Sequence, residues 1–105
     1  IDFILAEPGP TATGFAAGLV QGEEMQAYAD TPAGAVRRAF REGTFAVKGD
    51  AGRTVEAVIA AAIADTPPFR LTLGSTAYAS IRVALTGRLQ ALEAQRDVAF
   101  SADVD

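Results

Sequence analysis

The chain opens on an apolar run interrupted only by Asp2. Ile1, Phe3, Ile4, Leu5 and Ala6 follow one another with almost no alternation before Pro8-Gly9 cuts the run off. A strand covered on one face alternates between apolar and polar residues, whereas one covered on both faces does not. The spacing therefore predicts a buried strand of a parallel sheet over Ile1 to Glu7. Pro8-Gly9-Pro10 is a turn signal. Beyond it lie Phe15, Ala16, Ala17, Leu19 and Val20, a weak helical stretch diluted by Gly14, Gly18 and Gly22.

Further along, the period changes. Thr31-Pro32 has the form of a helix cap followed by a first-turn proline, so a helix is expected over Ala33 to Glu42, ended by Gly43. Phe45 and Val47 are placed to pack back on it. Asp50 is a suitable N-cap for the next helix. Its apolar stripe is Val55, Val58, Ile59, Ala62 and Ile63, and Asp65-Thr66-Pro67-Pro68 stops it, because the residue before a proline is pushed out of the helical region. Phe69 to Leu73 alternates as a second short strand. After Gly74, Ser75 is expected to cap a last helix with Tyr78, Ile81, Leu85, Leu89 and Leu92 on one face and Arg82, Arg88, Glu93 and Arg96 on the other. Asp97 to Asp105 shows no period and is expected to be extended.

The order strand, helical excursion, helix, strand, helix is the ending of an open α/β sheet. The expected fold is the C-terminal part of a Rossmann-like doubly wound parallel sheet, with two strands and three to four helices in this chain. Two strands alone do not make a stable sheet in water. Ile1 opens directly into an apolar strand, so we expect residues 1–105 to be the C-terminal portion of a single domain whose N-terminal portion is its partner.

Composition narrows the chemistry. The chain has 105 residues, a net charge of −4, no cysteine and no histidine. Disulfides, thiolate catalysis, histidine relays and histidine- or cysteine-ligated metals are thereby excluded. Asp97, Asp103 and Asp105 lack the glycine and terminal glutamate of a calcium loop, so no metal site is expected. Arg37, Arg38 and Arg41 are the one basic cluster, and the overall sign argues against nucleic acid. No apolar run approaches the about 18 residues of a membrane span. Neither a nucleic acid nor a membrane is an expected partner, and the expected location is the cytoplasm.

Glu7-Pro8-Gly9-Pro10-Thr11-Ala12-Thr13 resembles the Pro-Gly loop of the short-chain dehydrogenases/reductases, in which a buried strand is followed by Pro-Gly and, after a short gap, a threonine. Gly49-Asp50 before an alanine-rich helix, Pro67-Pro68-Phe69-Arg70-Leu71 before the last strand, and Leu73-Gly74-Ser75 opening the closing helix extend the resemblance over essentially the whole chain.

The resemblance implies an NAD(P)-dependent oxidoreductase that moves a hydride between a nicotinamide and a carbonyl or alcohol carbon. It implies cofactor contacts from Pro8, Gly9, Thr11 and Thr13, with either NAD or NADP as the cofactor. The Thr11 peptide groups would meet the carboxamide, and the Thr13 hydroxyl would donate to a phosphate or carboxamide oxygen. The serine, tyrosine and lysine that the family uses for catalysis are not in this chain. Tyr28 has Pro32 four residues on and Tyr78 has Arg82, where the family has lysine. No catalytic residue is therefore expected here, and no phosphate-cradling glycine motif is present. The segment 14–48 is expected to serve as a substrate-side lid, with Phe15 and Leu19 as substrate-binding residues and Met25 and Tyr28 as further wall candidates for a small-molecule substrate. The reading leaves a homo-oligomer open. The alternative from another class is a non-catalytic α/β interaction module, or a degenerate family member that keeps the sheet without the chemistry.

Overall fold

The structure is a computed structural model, and it describes residues 1–104. In chain order it contains β1 (Leu5–Pro8), β2 (Thr11–Ala12), α1 (Pro32–Arg41), β3 (Gly49–Asp50), α2 (Ala51–Ala62), β4 (Arg70–Leu73), α3 (Ser75–Glu93) and α4 (Arg96–Phe100). Two short 3-10 turns, Gly14–Gly18 and Gln26–Tyr28, lie in the excursion between β2 and α1.

β1 and β4 pair in parallel, with Leu5 opposite Arg70 and Pro8 opposite Leu73. Leu5 N–H donates to the Phe69 carbonyl at 2.8 Å, and Gly9 N–H donates to the Leu73 carbonyl at 2.9 Å. Residues 1–4 thus lack a partner on β4, which is why the strand begins at Leu5 rather than Ile1. Strand alternation puts Leu5, Glu7, Arg70 and Thr72 on one face and Ala6, Pro8, Leu71 and Leu73 on the other. An ion pair between Arg70 Nη1 and Glu7 Oε1, at 2.5 Å, bridges the strands on the first face. β2 and β3 make a second parallel pair just beyond the first.

The helices start and stop as their capping chemistry dictates. Thr31 accepts from Gly34 N–H at 3.4 Å to open α1, with Pro32 in its first turn. Asp50 accepts from Arg53 N–H at 2.8 Å to open α2. Phe45 does pack back on α1, stacked on Phe40 with ring centroids 4.1 Å apart. Two expectations are corrected. Ser75 is the first helical residue of α3, and the cap position is Gly74, at φ 93°, with no side-chain cap bond. The tail is not extended: residues 96–100 form α4, where the Arg96 guanidinium lies 4.3 Å from the Phe100 ring centroid. Asp105 lies outside the described residues.

The expectation of a first strand covered on both faces is not met within this chain. α2 and α3 both pack on β4, and neither packs extensively on β1. Leu5 is 45% exposed and Phe3 74%. No hydrophobic side chain is buried among the described residues. The radius of gyration is 19.4 Å, against about 13 Å for a compact domain of this length. The accessible surface is 8873 Å², against roughly 5,500 Å² for a folded monomer of this mass. The difference, roughly 3,000 Å², is several times the ~800 Å² that each partner buries in an ordinary protein–protein interface. The sheet therefore leaves its apolar faces uncovered within this chain.

By itself the chain Ile1–Asp105 is therefore expected to bind the apolar dye ANS strongly and to lose its structure on heating without a cooperative step, which calorimetry and dye fluorescence would check. A sharp, cooperative melt with no dye binding is the contrary result.

Candidate functional site

The carboxyl ends of β1 and β4 lie side by side, and the chain leaving β1 is the Pro8–Thr13 loop. In open parallel sheets this rim is where ligands bind. The loop is held by contacts on two sides. On one, Gly9 approaches α3 so closely that a Cβ there would lie 3.1 Å from the Ala77 backbone nitrogen. Gly9 has no left-handed backbone, so its small size, rather than a sharp turn, is what the position uses. On the other, Gly49 N–H donates to the Pro10 carbonyl at 2.9 Å. A Cβ on Gly49 would stand 2.7 Å from Thr11 Oγ1 and 2.8 Å from the Pro10 carbonyl oxygen.

This register decides where the loop's polar groups point. Thr11 sits opposite Gly49, and Pro10 supplies the carbonyl that the ladder uses. In a parallel ladder the residue between two bonded peptides turns its own N–H and C=O to the opposite side. The Thr11 peptide groups thus face away from β3. The Thr11 hydroxyl donates to the Gly9 carbonyl at 2.9 Å, closing the loop on itself. Thr13 is extended (φ −144°, ψ 172°), and its hydroxyl oxygen accepts from Phe15 N–H at 3.3 Å. That bond occupies a lone pair and leaves the hydroxyl proton free to be donated. A narrow cleft of about 40 Å³ sits at this rim among Gly9, Pro10, Lys48, Gly49 and the start of α3. It is large enough for no more than a few water molecules.

A solved structure shares this fold. The chain superimposes on a short-chain dehydrogenase from Streptomyces avermitilis with a TM-score of 0.73 and 25% identity, over 95% of this chain. The chain has part of a short-chain dehydrogenase fold. It spans 36% of the length of that dehydrogenase. No family model matches the chain. No curated protein matches it either. Parallel strands, the helix between them and the closing helix together match a partial Rossmann-like sheet of the short-chain dehydrogenase kind. Among the described residues, no helix is long and apolar enough to cross a membrane.

Within this short-chain dehydrogenase fold, Pro8, Gly9, Thr11 and Thr13 fall together on the rim loop. The wall candidates divide. Met25 and Tyr28 line a cleft of about 170 Å³ with Gly34 and Arg37, whereas Phe15 and Leu19 lie outside it. Phe15 is 77% exposed, on the 3-10 turn that follows Thr13. Tyr78 belongs to α3, on the side that looks toward Thr72 and Ile81.

Gly34 carries no mark in the sequence, and Gly49 stands out there only as the residue before the Asp50 cap. Each stands where a side chain would strike a neighbouring backbone carbonyl, and composition gives no sign of that. The positional signal is that Gly49 directly precedes the helix cap Asp50. In the full-length protein, Gly49→Ala is expected to push the Thr11 segment off its register. The accompanying strain is about 1–3 kcal/mol. The melting temperature of the full-length protein should fall accordingly, while Gly52→Ala, three residues on and meeting nothing closer than 3.4 Å, does not lower it.

Proposed function

We propose that the chain is the nicotinamide-side, C-terminal portion of an NAD(P)-dependent oxidoreductase that acts on a carbonyl or alcohol substrate in the cytoplasm. The observation that carries this reading is the outward-turned Thr11 peptide on a loop at the carboxyl rim of two parallel strands. Likeness to a short-chain dehydrogenase over 95% of the chain supports it.

The loop's donors and acceptors fit a nicotinamide carboxamide. That group offers one acceptor and two donors, and the Thr11 N–H and C=O present the complementary pair in an extended backbone. The Thr13 hydroxyl retains a proton for a phosphate or carboxamide oxygen, since its oxygen already accepts from Phe15. Pro8 and Pro10 restrict the loop's freedom before anything binds, which lowers the ordering cost of binding. Gly9 and Gly49 let the loop lie flat against α3 and β3. A bound nicotinamide would supply or accept the hydride. This chain's part is to hold the ring in one orientation and to wall the substrate space with the segment 14–48. Each such hydrogen bond contributes only about 0.5–1.5 kcal/mol, so the loop orients the ring rather than capturing the nucleotide.

The test is a titration of the full-length protein with NADH and NADPH, followed by nicotinamide fluorescence. A saturable response to one of them is expected. Thr13→Ala should weaken it by three- to tenfold, consistent with the loss of one hydrogen bond, with no change in melting temperature. A flat titration with both nucleotides would remove the oxidoreductase reading.

A further inference from the structure

The one basic cluster of the chain is occupied from within. Arg37 donates to the Gly22 carbonyl, Arg38 donates to the Ala29 carbonyl, and Arg41 pairs with Glu24 at 3.2 Å. Open hydrogen-bonding groups lie instead on the rim loop, and one side chain there, Thr11, is placed to keep them open.

Most polar groups at the bend already have a partner. Gly9 N–H donates to the Leu73 carbonyl at 2.9 Å, and the Gly9 carbonyl accepts from the Thr11 hydroxyl at 2.9 Å. The Pro10 carbonyl accepts from Gly49 N–H, and a proline has no N–H of its own. Between residues 9 and 11 this leaves the Thr11 N–H and C=O, which the ladder turns away from β3.

The Thr11 hydroxyl spans the passage from one ladder to the other. It reaches back two residues, from the start of β2 to the residue that follows β1. Gly49 gives it room, since a Cβ there would stand 2.7 Å from Oγ1. Shape does not account for the hydroxyl. Valine has the same branching and the same strand preference, but it would set a methyl group against the Gly9 carbonyl and leave that carbonyl without its donor. The bond is part-buried, so water replaces the donor only incompletely.

We propose that Thr11 is a positioning residue for the nicotinamide: its hydroxyl, by fixing the Gly9 carbonyl, holds the Thr11 peptide in the orientation that the carboxamide requires. This inference rests on the oxidoreductase reading above and adds to it a side chain that acts through its own backbone. Its effect falls on the nicotinamide end of the nucleotide and not on the ADP-ribose end.

The experiment compares wild type, Thr11→Val and Thr11→Ser in the full-length protein. Binding of the reduced nucleotide that saturates is followed by its fluorescence. Binding of ADP-ribose, or of its 2′-phosphate if NADPH is the nucleotide, is followed by calorimetry. Thr11→Val is expected to weaken the nicotinamide nucleotide by three- to tenfold, the equivalent of one hydrogen bond. It should leave ADP-ribose within twofold, which also shows that the variant is folded. Thr11→Ser, which keeps the hydroxyl, should restore most of the loss. Equal losses for both ligands would assign the hydroxyl to the loop's stability alone and overturn the proposal. An unaffected valine variant, or a serine variant as weak as valine, would overturn it as well. A wild type that binds neither NADH nor NADPH removes the oxidoreductase reading and this proposal with it, whereas a wild type that binds and a valine variant that matches it remove the proposal alone.

Discussion

Everything at the rim depends on the parallel pairing of β1 with β4. That ladder is only four residues long, yet it brings residues more than sixty positions apart to one edge and delivers two chain exits there, the Pro8–Thr13 loop and the Gly74–Ser75 entry to α3. The Glu7–Arg70 pair joins the same two strands one step before the loop departs. With 61% of the Arg70 side chain exposed, such a pair adds only a small increment to stability. Its value lies in register, because a one-residue slip would separate the charges and turn every side chain to the other face. The Gly9–Ala77 approach and the Gly49–Pro10 bond both presuppose that register.

Much of this was legible in the amino-acid order. Asp50 and Thr31 cap the helices they were expected to cap, while α2 ends at Ala62, several residues ahead of Pro67-Pro68. The α/β order and the resemblance to short-chain dehydrogenases follow from the pattern and are matched by the structure. What escaped notice depends on contacts distant in sequence. β2 and β3 are two residues each, too short to leave a period, and exist because Gly49 meets Pro10. The α4 turn has Arg96 and Phe100 at a spacing of four, a local contact that a search for apolar stripes overlooks. Arg37, Arg38 and Arg41 carry no sign of their acceptors, because two of the three are backbone carbonyls, identical at every residue.

Burial separates two parts of the chain. The sheet side, with β1, β4, α2 and α3, exposes large apolar residues such as Ile59, Leu85 and Leu89. The segment 22–41 organises itself through hydrogen bonds and the Phe40–Phe45 stack, with little apolar cover. The two parts differ in what they need to be ordered: hydrophobic area on one side, a few directed bonds on the other.

Gly74 illustrates how misleading empty space can be. A Cβ built there meets no atom within 4 Å, so by volume alone the position would accept alanine, serine or something larger. Its backbone, at φ 93° and ψ 148°, is one that L-residues scarcely adopt. The chain passes from strand to helix at this single residue, so the identity of the residue is set by torsion and not by room. Attempts to rigidify the closing helix by filling gaps near its start would strain the reversal itself, whereas the same changes one turn later would not.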